Sequence, residues 1–407
     1  MSNKQKKNVP ELRFPGFEGE WEEKKLGEVG TFTSGGTPLK SKSEYWNGDI
    51  PWITTGDIHN IKRENITNFI TEKGLNESSA KLITNEAILI AMYGQGKTRG
   101  MSAILNFEAT TNQACAIYQT NQNINFVFQY FQKLYEFLRS LSNEGSQKNL
   151  SLSLLKEITL NYPNEQEQKK IGDFFSKLDR QIELEEQKLE LLQQQKKGYM
   201  QKIFSQELRF KDENGNDYPE WEETTIKEIA QINTGKKDTK DAITNGSYDF
   251  YVRSPIVYKI NTFSYEGEAI LTVGDGVGVG KVFHYVNGKF DYHQRVYKIS
   301  DFKNYYGLLL FYYFSQNFLK ETKKYSAKTS VDSVRKDMIA NMKVPRPIYI
   351  EQKKIGQFIK RVDNKTKIQK QVIELLKQRK KGITSKDVYL SLLDLVLKVI
   401  VVFFLYS

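Results

Sequence analysis

The chain is poor in the residues that build metal and redox sites. It has one cysteine, Cys115, so no disulfide can close within it and the cytoplasm is the expected compartment. Its three histidines, His59, His284 and His293, lie far apart, and with one cysteine they cannot supply a Cys/His zinc module. No Ser/His/Asp or Cys/His set stands out either. Met1 to Pro10 is polar and lysine-rich with no apolar core, so a solvated arm is expected there rather than a secretory signal. Long apolar runs are also missing. Val388 to Ser407 is apolar, but Asp394 and Lys398 interrupt it at roughly 2.5–3.5 kcal/mol each in a bilayer centre. The unbroken run from Val399 to Tyr406 falls short of the ~20 residues a span needs. A segment packed on the protein is expected, and no membrane partner.

What is present is ordinary globular material with a charge bias. The 407 residues are 39% hydrophobic and 27% charged, enough for real cores and for two or three domains. Lys and Arg number 60 against 49 Asp and Glu, and the resulting +11 favours a polyanionic partner such as nucleic acid or an anionic membrane face, between which the charge alone does not choose.

The chain is written twice. Glu167-Gln-Lys-Lys-Ile-Gly172 recurs 184 residues on as Glu351-Gln-Lys-Lys-Ile-Gly356, and 16 of the 32 positions from 167 to 198 are identical at that offset without a gap. Among them are Phe174 and Phe358, Asp179 and Asp363, and Lys196-Lys197-Gly198 and Lys380-Lys381-Gly382; upstream, Pro163 meets Pro347. Before each copy stands a second pair: Glu11-Leu-Arg-Phe14 and Trp21-Glu-Glu23 return as Glu207-Leu-Arg-Phe210 and Trp221-Glu-Glu223. Glu86-Ala-Ile-Leu89 and Glu268-Ala-Ile-Leu271 each precede a glycine cluster. A whole unit is therefore duplicated, with loops of different length.

Each unit has two parts. The first mixes short Thr, Ile, Tyr and Phe runs with Gly and Asn breakers, with strands expected at Ala87–Met92 and Ala269–Val273, and it ends in aromatic helical stretches; this predicts an α+β globule. The second is a long helix. From 165 to 204, Ile171, Phe175, Leu178, Ile182, Leu189, Leu192, Tyr199 and Ile203 recur in steps of three and four, with Glu185 and Lys196 breaking the seam. About 40 residues make a rod of roughly 60 Å. In the second copy Ile355, Ile359, Val362, Ile373, Leu376 and Ile383 fit, whereas Thr366, Gln369 and Lys380 do not. Two equal seams in one chain can bury each other, which favours an intramolecular coiled-coil pairing over independent packing of each helix, within a pseudo-twofold internal duplication. The predicted organisation is an arm at 1–20, globules at 21–160 and 207–346, helices at 161–206 and 347–386, and an apolar tail at 387–407.

Catalytic patterns fail on inspection. Ala91-Met-Tyr-Gly-Gln-Gly96-Lys97-Thr98 imitates a phosphate-binding loop but has Ala91 where glycine is required, and Gly276-Val-Gly-Val-Gly280-Lys281 lacks the spacing; turn-rich loops are expected. Asn161-Tyr162-Pro163 falls one proline short of the base-holding motif of amino-methyltransferases. Asp301 with Glu321 and Lys323 could be read as a metal-nuclease set, a spacing that chance supplies in any lysine-rich chain. The chain reads as non-catalytic, with no metal or cofactor of its own.

Taken jointly, several motifs resemble the specificity subunit of Type I restriction-modification systems. They are Leu12-Arg-Phe-Pro-Gly-Phe17 leading into Trp21, Ser34-Gly-Gly-Thr-Pro38, Tyr45-Trp46 with Gly48-Asp-Ile-Pro-Trp52, Thr54-Thr-Gly-Asp57-Ile58, Asn112-Gln113, and the two Glu-Gln-Lys-Lys-Ile-Gly helix starts. The resemblance implies that each globule is a target-recognition domain reading one half of a split, asymmetric double-stranded DNA site. It also implies that the helices pair antiparallel, hold the globules apart and dock two adenine-methylating modification subunits, with restriction subunits completing a phage-defence nuclease. S-adenosylmethionine, ATP and Mg²⁺ are then expected on those partners. One departure is that Gly382 runs into Ile383-Thr-Ser-Lys-Asp387 and the apolar tail, so the second helix is expected to end early. The competing reading is a basic coiled-coil scaffold for protein partners, without DNA specificity.

Phosphate contacts would give most of the affinity and base-edge contacts the choice of sequence. The candidates in the first globule are Lys40, Lys42, Lys62, Arg63, Gln95, Lys97, Thr98 and Arg99, and in the second Lys236, Lys237, Lys240, Arg253, Lys281 and Arg295. Gln113 and Gln294 occupy equivalent places and are expected to make structural hydrogen bonds within apolar strands.

Overall fold

The computed structural model describes residues 10, 12–94, 97–141, 149–325 and 333–384. The chain divides into two compact units, unit 1 formed by Met1–Glu185 with Ile373–Ser407 and unit 2 by Glu186–Val372.

In unit 1 the strands are β1 (Glu22–Lys25), β2 (Gly30–Ser34), β3 (Trp46–Ile53), β4 (Phe69–Ile70), β5 (Ala87–Ala91), β6 (Ser102–Leu105), β7 (Thr110–Thr111), β8 (Cys115–Thr120) and β9 (Thr159–Tyr162). Helices α1 (Glu72–Asn76), α2 (Ile124–Lys133), α3 (Tyr135–Ser140) and α4 (Leu152–Lys156) lie between them. A four-stranded sheet runs in the order β2-β8-β5-β6, a three-stranded one in the order β4-β3-β7, and β1 pairs with β9 where the chain enters and leaves the globule. Every residue of β5 is buried, so its unbroken apolar run serves cores on both faces. Ile88 and Ile90 pack with Val127 and Phe131 of α2, while Leu89 and Ala91 pack with Ile53 and Ile117 on the other side.

Unit 2 repeats this plan with β10 (Glu222–Thr225), β11 (Gln231–Thr234), β12 (Tyr248–Tyr251), β13 (Val257–Ile260), β14 (Tyr265–Val273), β15 (Phe283–Tyr292), β16 (Val296–Ser300) and β17 (Lys343–Arg346). Its sheet is a single six-stranded one, β11-β16-β14-β15-β12-β13, and β10 pairs with β17 as β1 does with β9. The counterpart of β6 and β7 is one strand, β15. Gly267 and Gly288 face each other in the β14–β15 ladder with φ of +139° and +137°, a backbone that glycine alone adopts without strain, so the hairpin bends there without breaking. Asn106 to Ala109 interrupt the corresponding ladder in unit 1.

The long helices follow. α5 (Glu165–Phe204) gives 165–185 to unit 1 and 186–204 to unit 2; after the short α6 (Ile226–Ile229), α7 (Gly307–Lys323) and α8 (Lys336–Ala340), α9 (Tyr349–Thr384) gives 349–372 to unit 2 and 373–384 to unit 1. Within each unit the two helical segments run antiparallel. In unit 1, Phe175, Leu178 and Ile182 are buried with Ile373 and Leu376; in unit 2, Met200 and Ile203 are buried with Ile355 and Ile359. α9 runs two residues past Gly382, to Thr384; the stretch beyond, where the early end is expected, and the apolar tail lie outside the described residues. No helix among the described residues is long and apolar enough to cross a membrane.

Two of the residues that break the seam, Lys196 and Lys380, turn out to lock it. Lys380 Nζ lies 2.5 Å from Asp179 Oδ1 in unit 1, and Lys196 Nζ lies 2.5 Å from Asp363 Oδ1 in unit 2. These are the same pair in the two copies, since both members recur at the offset of 184. A polar contact at a seam position fixes register and direction where apolar contacts tolerate sliding.

Candidate nucleic-acid interface

The mount comes first, because it is what both copies share. At the start of α5, Glu167 is fully buried and takes a forked contact from Arg13, at 2.7 Å from Nε and 2.6 Å from Nη2; Arg209 meets the fully buried Glu351 at the start of α9 at 3.3 Å from Nε and 3.1 Å from Nη2. Trp221 Nε1 also donates to Glu351, at 2.9 Å. Phe14 packs edge-on against Phe174 and Phe210 against Phe358. The next residue ties in the globule. Gln168 accepts from Asn123 N at 3.2 Å and donates to Pro163 O at 2.9 Å; Gln352 accepts from Tyr306 N at 2.7 Å and donates to Pro347 O at 2.7 Å.

The glycine of the motif lets the globule's helix approach. A Cβ on Gly172 would stand 2.5 Å from Asn123 Oδ1, and one on Gly356 would stand 2.8 Å from the Tyr306 ring. Asp179 takes a second contact from Gln129 Nε2 at 3.0 Å, and Asp363 one from Tyr312 Oη at 2.7 Å. Burial, reinforced by that carboxylate, pushes the Tyr312 phenol well above its ordinary range. Each repeated motif is thus a joint between strand end, globule and stalk.

The far loops carry most of the candidate cations, and they converge on one turn in each unit. In unit 1 the turn is Asn112-Gln113-Ala114, between β7 and β8. Asn112 N donates to Ile53 O at 2.9 Å, Asn112 Oδ1 accepts from Ala114 N at 3.1 Å, and Ala114 O accepts from Met92 N at 2.9 Å. In unit 2 the turn is His293-Gln294-Arg295. His293 N donates to Tyr251 O at 2.9 Å, His293 Nδ1 accepts from Arg295 N at 2.9 Å, and Arg295 O accepts from Gly274 N at 2.7 Å. The two turns are clamped by the same bonds.

Gln113 and Gln294 sit on these exposed turns rather than inside apolar strands, because each following strand begins two residues later, at Cys115 and Val296. They do bond within the protein. Thr37 Oγ1 donates to Gln113 Oε1 at 2.5 Å, and Gln294 Nε2 donates to Asp238 Oδ2 at 3.2 Å, so each ties its turn to the neighbouring loop.

Around the second turn, Arg253 Nη1 lies 3.4 Å and Arg295 Nε 3.6 Å from the two oxygens of Asp275. Lys237 bridges to His293, Lys236 precedes it on the same loop, Lys240 follows Asp238, and Lys281 closes the loop that holds Asp275. Burial, together with Arg253 and Arg295, holds the His293 imidazole below its ordinary value against the pull of Asp238 and Asp275. With Nδ1 accepting, its proton is on Nε2, 3.6 Å from Asp238.

Around the first turn the set is looser. Lys40 and Lys42 lie on the loop that Thr37 ties down, though Lys42 Nζ is engaged by Tyr45 Oη at 2.6 Å, which lifts its pKa. Lys97 is exposed and Thr98 half-buried on the loop after β5; Gln95, on the same loop, lies outside the described residues. Arg99 turns to the carbonyl of Arg139. Lys62 pairs with Glu183 of α5, bracing globule against helix, and Arg63 is exposed beside it.

The enzyme-like patterns dissolve in this geometry. After Ala91 the chain enters strand β6, and after Gly280 it enters β15, so neither glycine loop opens the helix that a phosphate-binding loop requires. Asp301 precedes α7 and Glu321 lies in its last turn, with roughly 20 Å of helix between its first residue and Glu321. Asn161 and Tyr162 are the end of β9, with Tyr162 in the core.

A family model described as the Type I restriction modification DNA specificity domain matches residues 18–194 and again 218–378. The chain is 28% identical over 231 residues to the Type I restriction enzyme MjaIX specificity subunit of Methanocaldococcus jannaschii, covering 53% of each protein. It is 24% identical over 432 residues to the MjaVIII specificity subunit of the same organism, covering 93% of each. The chain thus spans about half the length of the first relative and nearly all of the second. Among solved structures it is similar in fold to the Type-I restriction-modification system S subunit from M. genitalium, with a TM-score of 0.66 at 15% identity over 93% of this chain and 98% of that one.

Proposed function

Because the chain belongs to the Type I restriction modification DNA specificity family, we propose that it is the non-catalytic, DNA-reading subunit of a restriction-modification complex. Each unit presents its loop end to one half of a bipartite, asymmetric site, and the paired helices set half-site spacing and dock two modification subunits. Restriction subunits complete the complex. S-adenosylmethionine, ATP and Mg²⁺ belong to those partners, and the assembly works in the cytoplasm.

The observation that carries this reading is the pairing of a shared mount with unlike tips. The helix-side joint residues and their arginines recur letter for letter, whereas the equivalent turns end in Ala114 and Arg295. A plain scaffold gives no reason for two identically clamped turns that differ at the tip, and both halves match a DNA specificity domain. Such a reader recognises an asymmetric sequence because its two halves are unequal, in contrast to symmetric dimers on palindromes.

The test is exchange of residues 21–150 for the corresponding globule of another family member, followed by genome-wide mapping of methylated adenines. One half-site should change and the other persist. Alteration of both halves, or of neither, would overturn the reading.

A further inference from the structure

We propose that Arg295 reads a guanine at the major-groove edge of one base pair in the half-site served by unit 2. This rests on the DNA-recognition reading above and names the contact within it.

Arg295 differs from the other candidate cations in how it is held. Its own N–H and C=O are both engaged, by His293 Nδ1 at 2.9 Å and Gly274 N at 2.7 Å, so the backbone at the tip is fixed. The neighbouring Gln294 is tied through N to Lys237 O at 2.8 Å and through its side chain to Asp238. The side chain is nevertheless 66% exposed. A rigid base under an exposed guanidinium lowers the ordering cost of making a directional contact.

The chemistry of the tip fits guanine. Asp275 meets Arg295 through Nε, which leaves the contact at the side of the guanidinium and keeps the carboxylate off its Nη1–Nη2 edge. That edge presents two parallel N–H donors, the pattern that matches guanine O6 and N7. Arg253 engages the other oxygen of Asp275, so the carboxylate is held from both sides and steadies Arg295 without neutralising the cluster. Lys236, Lys237, Lys240 and Lys281 on the adjoining loops supply charge for phosphate contacts, which position the tip but carry no sequence information.

Unit 1 provides the internal control. The same clamp there ends in Ala114, and the equivalents of Asp275 and Arg253 are Tyr93 and Thr55. A side chain without donors cannot read guanine from that position, so the two units differ in base choice at a point where their backbones agree.

The experiment uses the full chain assembled with its modification subunits and measures affinity for duplexes carrying the mapped site. Each guanine of the unit 2 half-site is replaced in turn by 7-deazaguanine, which lacks the N7 acceptor. The unaltered chain should lose about 5- to 150-fold at one guanine. Arg295→Ala should lose as much on the natural site and become indifferent to the replacement, and Arg295→Lys should keep the charge yet lose the discrimination. Should Arg295→Ala and Arg295→Lys weaken all sequences alike, or leave discrimination intact, this assignment falls while the modular reading stands. If the unaltered complex prefers no sequence in either half, both fall together.

Discussion

Units 1 and 2 hold their globules on the helices with the same side chains, Arg13 and Glu167 in one and Arg209 and Glu351 in the other, yet they differ where the sheets meet the loops. Beyond the entry pairs β1-β9 and β10-β17, unit 1 splits its strands into two sheets and tips its turn with Ala114; unit 2 carries one bent sheet and tips the turn with Arg295, backed by Asp275 and Arg253. Identity is kept where the globules are mounted on the helices, and difference lies at the exposed turns. The physical reason is that a shift at the joint moves every contact at once, while a change at a tip alters one.

The comparison breaks most visibly at the joints if they are not truly alike. Glu167→Ala and Glu351→Ala each strand a buried arginine contact and should each cost about 3 kcal/mol of stability or more, measured by urea unfolding of the full chain. A cost confined to one unit would show that the joints only look equivalent. A smaller effect is expected at the seam. Asp179→Ala and Asp363→Ala should each cost about 1 kcal/mol, since the pairs are partly exposed. Exchanging the charges of Lys196 and Asp363 together should recover most of the loss, and failure to recover would mean that Tyr312, not the lysine, dominates at Asp363.

The smallest effect separates the turns by pH. Asn112 and His293 do the same job, but only the histidine titrates. Its folded pKa is depressed, so its contribution is fully present above the unfolded value of about 6.5 and is lost as pH falls through the folded pKa. Protonation puts a hydrogen on Nδ1, where Arg295 N must donate. Unit 2 should therefore loosen in mild acid while unit 1 does not, and His293→Asn should abolish the difference, as read by amide exchange at Arg295 and Ala114.

Much of this architecture was legible in the sequence because duplication supplies its own alignment. The α+β globules, the long helices and the strands at β5 and β14 follow from repeats and periodicity. The seam was read only in part. Lys196 and Lys380 count as interruptions when each helix is scored alone, and become locks once Asp363 and Asp179 are seen to recur with them. Gln113 and Gln294 make the structural hydrogen bonds expected of them, but their place on turns is hidden in the sequence, because apolar neighbours such as Cys115 and Val296 extend the strand pattern too early and nothing local marks the tight turn. Among the cations, composition cannot distinguish Lys62, drawn to Glu183, from Arg295, clamped and exposed, because the difference lies in partners distant along the chain.

The aspartate–lysine locks have a corollary. Asp179 and Lys196 sit in the same copy and answer Lys380 and Asp363 in the other, so one copy alone bears both key and keyhole. Closed inside one polypeptide, the same bond made twice leaves each head free to differ from the other while the clasp stays the same.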